Sequence, residues 1–368
     1  MKKASEVLNK QSSFSQWYSD ASIEGGQIFK KEDEEKNERL DILHRLAGLP
    51  TNIGLDMPLT SFLNLSPDSD VTIAGRSVFE VPLGIRLIPQ NEGDPLYRTR
   101  GKKYLEIIAW IRDLNIIAED YAANILPHVE SPDFSTIFVV AENGVRGEAV
   151  KGAPHLLTQG FYDDQKPVTF SYDLNKIHLQ PDNPDVSEYL LGIISHLQIS
   201  DVVQGKLKSA LPDIQFVNGY LKGYFETVTS NEYGLWFIDY NRYLGNKLSD
   251  INAAAPSSEI LSNSLTGLPV SKGSAQGTIK VIDESLINSS EFSPGDILVC
   301  KMTTPGYIPL MRIASAIVTE QGGLLSHAAI ISRELGIPCI AGVKGLLAGN
   351  LHNKHGLVDA DKGTLIIF

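Results

Sequence analysis

Apolar and polar positions alternate along this chain in several distinct rhythms. "KKEDEEKNERLDILHRLAGLP" passes from a charged run into Leu40, Leu43, Leu46 and Leu49. That spacing predicts a helix whose charges form a solvated face. "VTIAGRSVFEVPLGIRLIP" alternates with period two, which predicts strands between residues 70 and 90. "KKYLEIIAWIRDLNIIA" returns to helical spacing over 102–118. In "TIFVVAENGVRGEAVKG" two apolar runs flank Asn143-Gly144, a hairpin signal. A helix is expected over 185–210. "GYLKGYFETVTSNEYGLWFIDYN" reads as two strands joined by a polar turn, with a helix near 242–250.

"INAAAPSSEILSNSLTG" breaks these rhythms with small, polar, Pro- and Ser-containing sequence. It reads as a linker over 252–266 that can extend roughly 50 Å at about 3.3–3.6 Å per residue. Residues 267–368 then alternate strand, loop and helix, the pattern of a compact α/β unit. The expected organisation is a helical N-terminal region (1–57), a mixed α/β (α+β) unit (58–251), the linker, and the C-terminal unit.

Composition narrows the function classes. Of 368 residues, 42% are hydrophobic and 21% charged, enough apolar material for real cores. The formal net charge of -12 argues against nucleic-acid and anionic-membrane partners, which need basic patches. Two cysteines, Cys300 and Cys339, imply no disulfide framework and point to a cytoplasmic home. The N-terminus lacks the apolar core of a secretory signal, and no apolar run approaches the roughly 20 residues that span a bilayer. His44, His352 and His355 read as structural or surface residues, and no His/Cys cluster has zinc spacing.

The chemistry concentrates in "TEQGGLLSHAAIISRELGIPCIAG", residues 319–342. Gly322 and Gly323 permit backbone conformations that other residues resist. Ser326 stands where a helix N-cap belongs, and Ala328, Ile331 and Leu335 give the helix its apolar stripe. His327 therefore falls in the first turn, beside unpaired N–H groups that attract phosphates. The helix start disfavours the imidazolium, and a neutral imidazole there can carry a phosphoryl group covalently; the other reading of the same residues is a capping or buried structural histidine. Upstream, Glu226 on one strand and Asp239 with Asn241 on its partner offer oxygen ligands that suit Mg²⁺ bridging the phosphates of ATP. Arg98, Arg100 and Lys102, in "YRTRGKK", add charge suited to phosphate oxygens.

"GGLLSHAAIISRELGIPCIAGV", with "LPVSKGSAQGTIKV", "PGDILVCKMTTPGYIPLM", "SAIVTEQGG" and "GLVDADKGTLIIF", resembles the phosphohistidine domain of the PEP-utilising enzymes across residues 267–368. That family includes phosphoenolpyruvate synthase, pyruvate phosphate dikinase and rifampin phosphotransferase. The resemblance implies a swivelling domain whose carrier is His327. Leu325 stands where the synthases and dikinases have a threonine, and the Leu-Leu form is similar to the rifampin phosphotransferase branch.

The Glu226–Asp239–Asn241 pattern resembles the metal end of ATP-grasp folds, with Arg242 beside it as a nucleotide contact. "NGVRGEAVKG" resembles a "GEAVVQG" stretch of the synthase ATP domain, which implies a role for Glu148 near the ribose or metal. Residues 127–130, Glu130 included, fall where that family borders adenine. "GIRLIP" resembles its "AVRSS" strand, which implies that Arg86 contacts phosphates and is catalytic. No Gly-Gly-Lys phosphate segment is recognisable, so another residue is expected to replace that lysine or the grasp is reduced.

The expected cofactors are ATP and Mg²⁺. The expected activity passes a phosphoryl group from Mg-ATP through His327 to a small polar metabolite with a hydroxyl or amide nitrogen, releasing AMP and phosphate. Because nothing follows Phe368 in the sequence, the acceptor is expected within residues 1–250, at the unit interface or on another protein, and pyruvate is not expected. The alternative is a phosphocarrier that hands the group to a partner protein.

Overall fold

The computed structural model describes residues 26–52, 54–91, 94–159, 167–250 and 263–368. The architecture is mixed α/β, built on three main sheets. Two helices, Gly26–Glu34 and Lys36–Ala47, lead the described chain. An antiparallel sheet of four strands follows, in the order Leu55–Pro58, Tyr121–Pro127, Leu83–Pro89, Tyr97–Lys102. Leu83, Ile85 and Leu87 alternate onto its buried face, where Ile107 and Ile111 of the helix Tyr104–Leu114 pack. The other face of Leu83–Pro89 is left to Arg86.

The second sheet has six antiparallel strands, in the order Ile177–Gln180, Val168–Tyr172, Gly144–Lys151, Phe134–Ala141, Gly223–Ser230, Gly234–Asn241. One face carries Phe138, Phe225 and Tyr240, whose rings stack at 5.3 and 5.1 Å between centroids. Helices Lys36–Ala47, Pro184–Ser195 and Asp201–Ala210 cover that face through Leu43, Leu190 and Leu207. The opposite face presents Ile137, Val139, Val150 and Tyr224, in one apolar cluster with Leu324, Leu325, Ala329 and Ile330 from the C-terminal unit.

The C-terminal unit is an eight-stranded sheet. Its centre runs parallel through Ser274–Val281, Ile297–Cys300, Ala316–Thr319 and Cys339–Ala341, with antiparallel strands on both flanks. The strands Ile297–Cys300 and Ala316–Thr319 are buried at every position, as expected of central strands covered on both faces.

The hairpin expected at Asn143-Gly144 is present, with Ala141 opposite Gly144. The helix expected over 102–118 ends at Leu114, because Asn115 turns left-handed at φ 51°. The single helix expected over 185–210 is two helices. Between them Leu197 O accepts from Leu221 N and Ile199 N donates to Gly219 O, both at 2.8 Å. Tertiary pairing there outcompetes local helix propensity. Of the expected linker, residues 252–262 lie outside the described residues. Its end, Ser264–Thr266, is a strand paired with Thr364–Ile367.

Candidate functional site

Strand register assembles the acidic part of the site. Asp239 lies opposite Glu226, Glu226 opposite Ile137, and Ile137 opposite Glu148. Directly opposed residues share a sheet face. Three carboxylates therefore stand in one row across four strands, on the face that meets the C-terminal unit. The Tyr224 hydroxyl donates to Glu226 Oε1 at 2.7 Å, and Lys36 Nζ lies 3.3 Å from Asp239 Oδ2. Burial first, and Asp239 second, push the Glu226 carboxyl up to about 7. Asp239 Oδ1 is buried without a hydrogen-bond partner.

Two carboxylates on adjacent strands, one with an orphaned oxygen, fit a hard divalent cation. Among the described residues no group of three His, Cys, Asp or Glu side chains could hold a metal alone. The remaining ligands would be water and phosphate oxygens, the usual complement of Mg²⁺. Asn241 contributes less than its position suggests. Its Oδ1 accepts from Leu244 N at 2.8 Å and caps the helix Arg242–Lys247.

The basic part comes from the four-stranded sheet. Arg86 lies opposite Arg98, and Arg100 follows two residues on, so the three share the face turned away from the apolar core. Burial, then Arg100 and Arg86, lower the Arg98 guanidinium to about 10. Arg100 is likewise lowered by burial and by Arg86, while Glu226 opposes the shift. Like charges crowded beside a carboxylate row form a field that draws a polyanion. Burial and then Arg100 also lower His128 and His155. Glu130 is exposed in the loop after Tyr121–Pro127, in the field of His128.

His327 opens the helix His327–Leu335, as the spacing predicts. Gly322 adopts φ 128°, a conformation that favours glycine. The Ser326 hydroxyl does not cap the helix but donates to Gly323 O at 2.9 Å. The half-buried His327 ring is lowered to about 4 by burial, so it is neutral at physiological pH. Burial, more than the helix start, keeps it so. A small open cleft beside it is lined by Thr158, Met302, Thr303, Gln321 and Ser326. Thr303 Oγ1 and Gln321 Oε1 are buried there without partners. Thr158 belongs to the helix His155–Gln159, whose first residue feels Arg100. The arginine field thus reaches to within one short helix of His327.

Two expected contacts are differently employed. Arg242 is held by Glu32, through Nε at 2.9 Å and Nη2 at 2.5 Å, and its backbone N–H donates to the same carboxylate at 3.0 Å. Its neighbourhood in sequence suggests the nucleotide; a carboxylate 210 residues away takes the guanidinium instead. Glu148, expected near the ribose or metal, accepts from Leu325 N of the histidine loop at 3.3 Å. Lys36 and Arg333, which donates to Leu324 O at 3.0 Å, carry no local signal that marks them for the site. We expect Arg242→Ala to destabilise the chain by about 1–3 kcal/mol, since it takes the guanidinium hydrogen bonds from buried Glu32 and leaves Arg39 as that carboxylate's cationic partner. Urea unfolding checks this. An unchanged midpoint with weakened ATP binding would restore Arg242 to the nucleotide.

Residues 292–363 match the model of the PEP-utilising enzyme mobile domain. The chain is 50% identical over 82 residues to the uncharacterized phosphotransferase YvkC of Bacillus subtilis, a match covering 22% of this chain and 10% of that protein. It is 56% identical over 77 residues to a probable phosphoenolpyruvate synthase of Staphylothermus marinus, covering 21% and 9%. A prodigiosin synthesizing transferase, PigC of Serratia marcescens, is 37% identical over 115 residues, covering 31% and 13%. The chain thus spans about a tenth of the length of these curated relatives. Among solved structures, an L-amino acid ligase of Bacillus licheniformis aligns at TM-score 0.28 and 14% identity, covering 67% of this chain and 47% of that one. Among the described residues no helix is long and apolar enough to cross a membrane. The segment that carries His327 is thus similar to the mobile domain of the PEP-utilising enzymes.

Proposed function

We propose that this chain is an ATP-dependent phosphotransferase, an ATP-grasp-like nucleotide unit joined to a swivelling carrier, that works through a phosphohistidine at His327. One observation carries the reading. The histidine loop docks, through Leu324 and Leu325, on the sheet face that bears Glu148, Glu226 and Asp239. A carrier histidine and a phosphate-binding surface are of use to each other only in such an arrangement.

In this reading Arg86, Arg98 and Arg100 hold the phosphate chain, because guanidinium forks match phosphate oxygens. Glu226 and Asp239 hold Mg²⁺, with Asn241 alongside. The ion, when bound, neutralises charge on the transferred group. An unprotonated nitrogen of His327 forms the P–N bond to the β-phosphorus as the P–O bond to the departing AMP breaks, and water then takes the γ-phosphoryl group away as phosphate, leaving one phosphoryl group on His327. The ring's other N–H is kept through this step. The group then leaves His327 for a small acceptor, whose hydroxyl or amide nitrogen gains the phosphorus and loses its proton to solvent. The family likeness favours AMP and phosphate as products. The polar, unpartnered Thr303 and Gln321 atoms beside His327 suit a polar acceptor rather than an apolar one.

The test incubates the purified chain with Mg-ATP and a metabolite panel, and follows AMP, ADP and protein-bound phosphate. One acid-labile phosphoryl group per chain, mapped to His327, is the expected result. Absence of covalent phosphate under all conditions would overturn the reading. Turnover only after addition of a second protein would assign the acceptor to that protein.

A further inference from the structure

The peptide between Leu324 and Leu325 is held at both ends, by groups from different parts of the chain. Its N–H, on Leu325, donates to Glu148 Oε2 at 3.3 Å. Its C=O, on Leu324, accepts from Arg333 Nη1 at 3.0 Å. Glu148 sits in the six-stranded sheet, 177 residues before Leu325. Arg333 sits two turns into the helix that His327 begins. Glu148 is completely buried, and Leu324 and Leu325 are only 2% and 1% exposed.

We propose that Glu148 and Arg333 are positioning residues that grip the Leu324–Leu325 peptide and so fix the pose of His327 over the carboxylate row. The inference rests on the phosphotransferase reading above. The apolar cluster around Leu324, Leu325 and Ile137 holds the two units together, but apolar contact is non-directional. It leaves the loop free to slide and rotate. A hydrogen bond accepted from one peptide N–H, two residues before His327, is directional and sets the first turn of the helix. In-line transfer depends on such placement, since a displacement of about 1 Å can cost about a hundredfold in rate.

The position of Leu325 gains an explanation. Its side chain fills the shared apolar cluster while its N–H serves Glu148, so the residue contributes packing and a main-chain donor. Burial raises the Glu148 carboxyl, while the Leu324 and Leu325 N–H groups and Arg333 oppose that shift. A carboxyl that needs these donors when docked has water as its alternative when the carrier moves away. The Glu148 half of the grip is therefore made and broken once per cycle, while the Arg333 half travels with the carrier.

Three variants test the proposal: Glu148→Ala, Glu148→Gln and Arg333→Lys. The glutamine keeps an oxygen to accept the Leu325 N–H, so it should rescue what alanine loses. Hydrogen exchange at the Leu325 amide, without nucleotide, should quicken at least about tenfold in Glu148→Ala, and little in Glu148→Gln. Single-turnover phosphorylation of His327 at saturating Mg-ATP should slow at least about tenfold in Glu148→Ala, with the ATP concentration for half-maximal rate unchanged. Arg333→Lys should lie between. Transfer from phosphorylated His327 to an acceptor should be unaffected in both Glu148 variants, whereas Arg333→Lys, whose bond to Leu324 O travels with the carrier, should slow it as well. A raised half-maximal ATP concentration in Glu148→Ala would make Glu148 a nucleotide contact and overturn the proposal. So would normal phosphorylation beside fast amide exchange. If the unmodified chain forms no phosphohistidine while the Leu325 amide responds as expected, the phosphotransferase reading fails and the grip stands.

Discussion

In the proposed mechanism His327→Ala is expected to abolish covalent phosphate incorporation from Mg-ATP, by more than about a thousandfold, while the chain stays folded. A nucleophile that carries the group has no substitute among its neighbours, because Ser326, Thr303 and Gln321 offer only hydroxyl and amide groups. The pH dependence follows from the ring's environment. Burial lowers the folded-state value to about 4, against about 6.5 in an unfolded chain. The ring is neutral and nucleophilic from mildly acid pH upward, so protonation of His327 limits phosphorylation only as the pH nears 4. The same shift makes a stability statement. Between about pH 6.5 and 4 the unfolded chain binds a proton that the folded chain refuses. Stability from this source is present above pH 6.5 and is lost as the pH falls toward 4. The half-buried ring makes about 1–3 kcal/mol a fair magnitude. His327→Ala removes that penalty, so relative to the unmodified chain it should be more stable at pH 4.5 than at pH 7.5. Urea midpoints of both proteins at the two pH values check the sign; an equal difference at both would show that the ring titrates normally.

The parts of the site that lie close together in sequence are legible there, and the rest are not. The histidine loop is one contiguous stretch, so glycines, histidine and helix stripe can be read together. Glu226 and Asp239 face each other across a hairpin, and period-two alternation sets their common face. The arginines of "YRTRGKK" share a strand, so Arg98 and Arg100 group from sequence, whereas only strand register places Arg86 opposite them. Lys36 is invisible because only the fold brings the N-terminal helix to Asp239, across 203 residues. Arg242 shows the same effect in reverse. Its nearest acid in sequence is Asp239, but Glu32 holds it in space. Glu148 stands out in its motif, yet its contact with the main chain of another unit cannot be read from that motif. The break between the helices Pro184–Ser195 and Asp201–Ala210 is equally hidden, because the strands that demand it come later in the chain.

Glu226→Gln and Asp239→Asn are each expected to eliminate Mg²⁺-dependent phosphorylation of His327, and each to weaken binding of Mn²⁺, used as a spectroscopic probe, by about a hundredfold or more. The expectation rests on how little else is available. The pair stands alone among the described residues as a set of carboxylates opposed on neighbouring strands beside the arginine field, and no third acid completes a cage there. Removing one charge from a two-carboxylate site therefore removes half of its attraction for a divalent cation. Neither change should unfold the protein. In Glu226→Gln the new amide oxygen can still accept from the Tyr224 hydroxyl, as Glu226 does at 2.7 Å, and the amide cannot ionise in a setting that already pushes the acid up to about 7. Asp239→Asn gives up the contact with Lys36, both side chains being about one-fifth exposed, for roughly 1 kcal/mol at most. Electron paramagnetic resonance of Mn²⁺, thermal unfolding and His327 phosphorylation should thus separate cleanly, with the first and third lost and the second kept. Full phosphorylation in either variant would move the metal away from these strands. Loss of Mn²⁺ binding with phosphorylation intact would mean that the ion rides in with the nucleotide and owes the protein nothing.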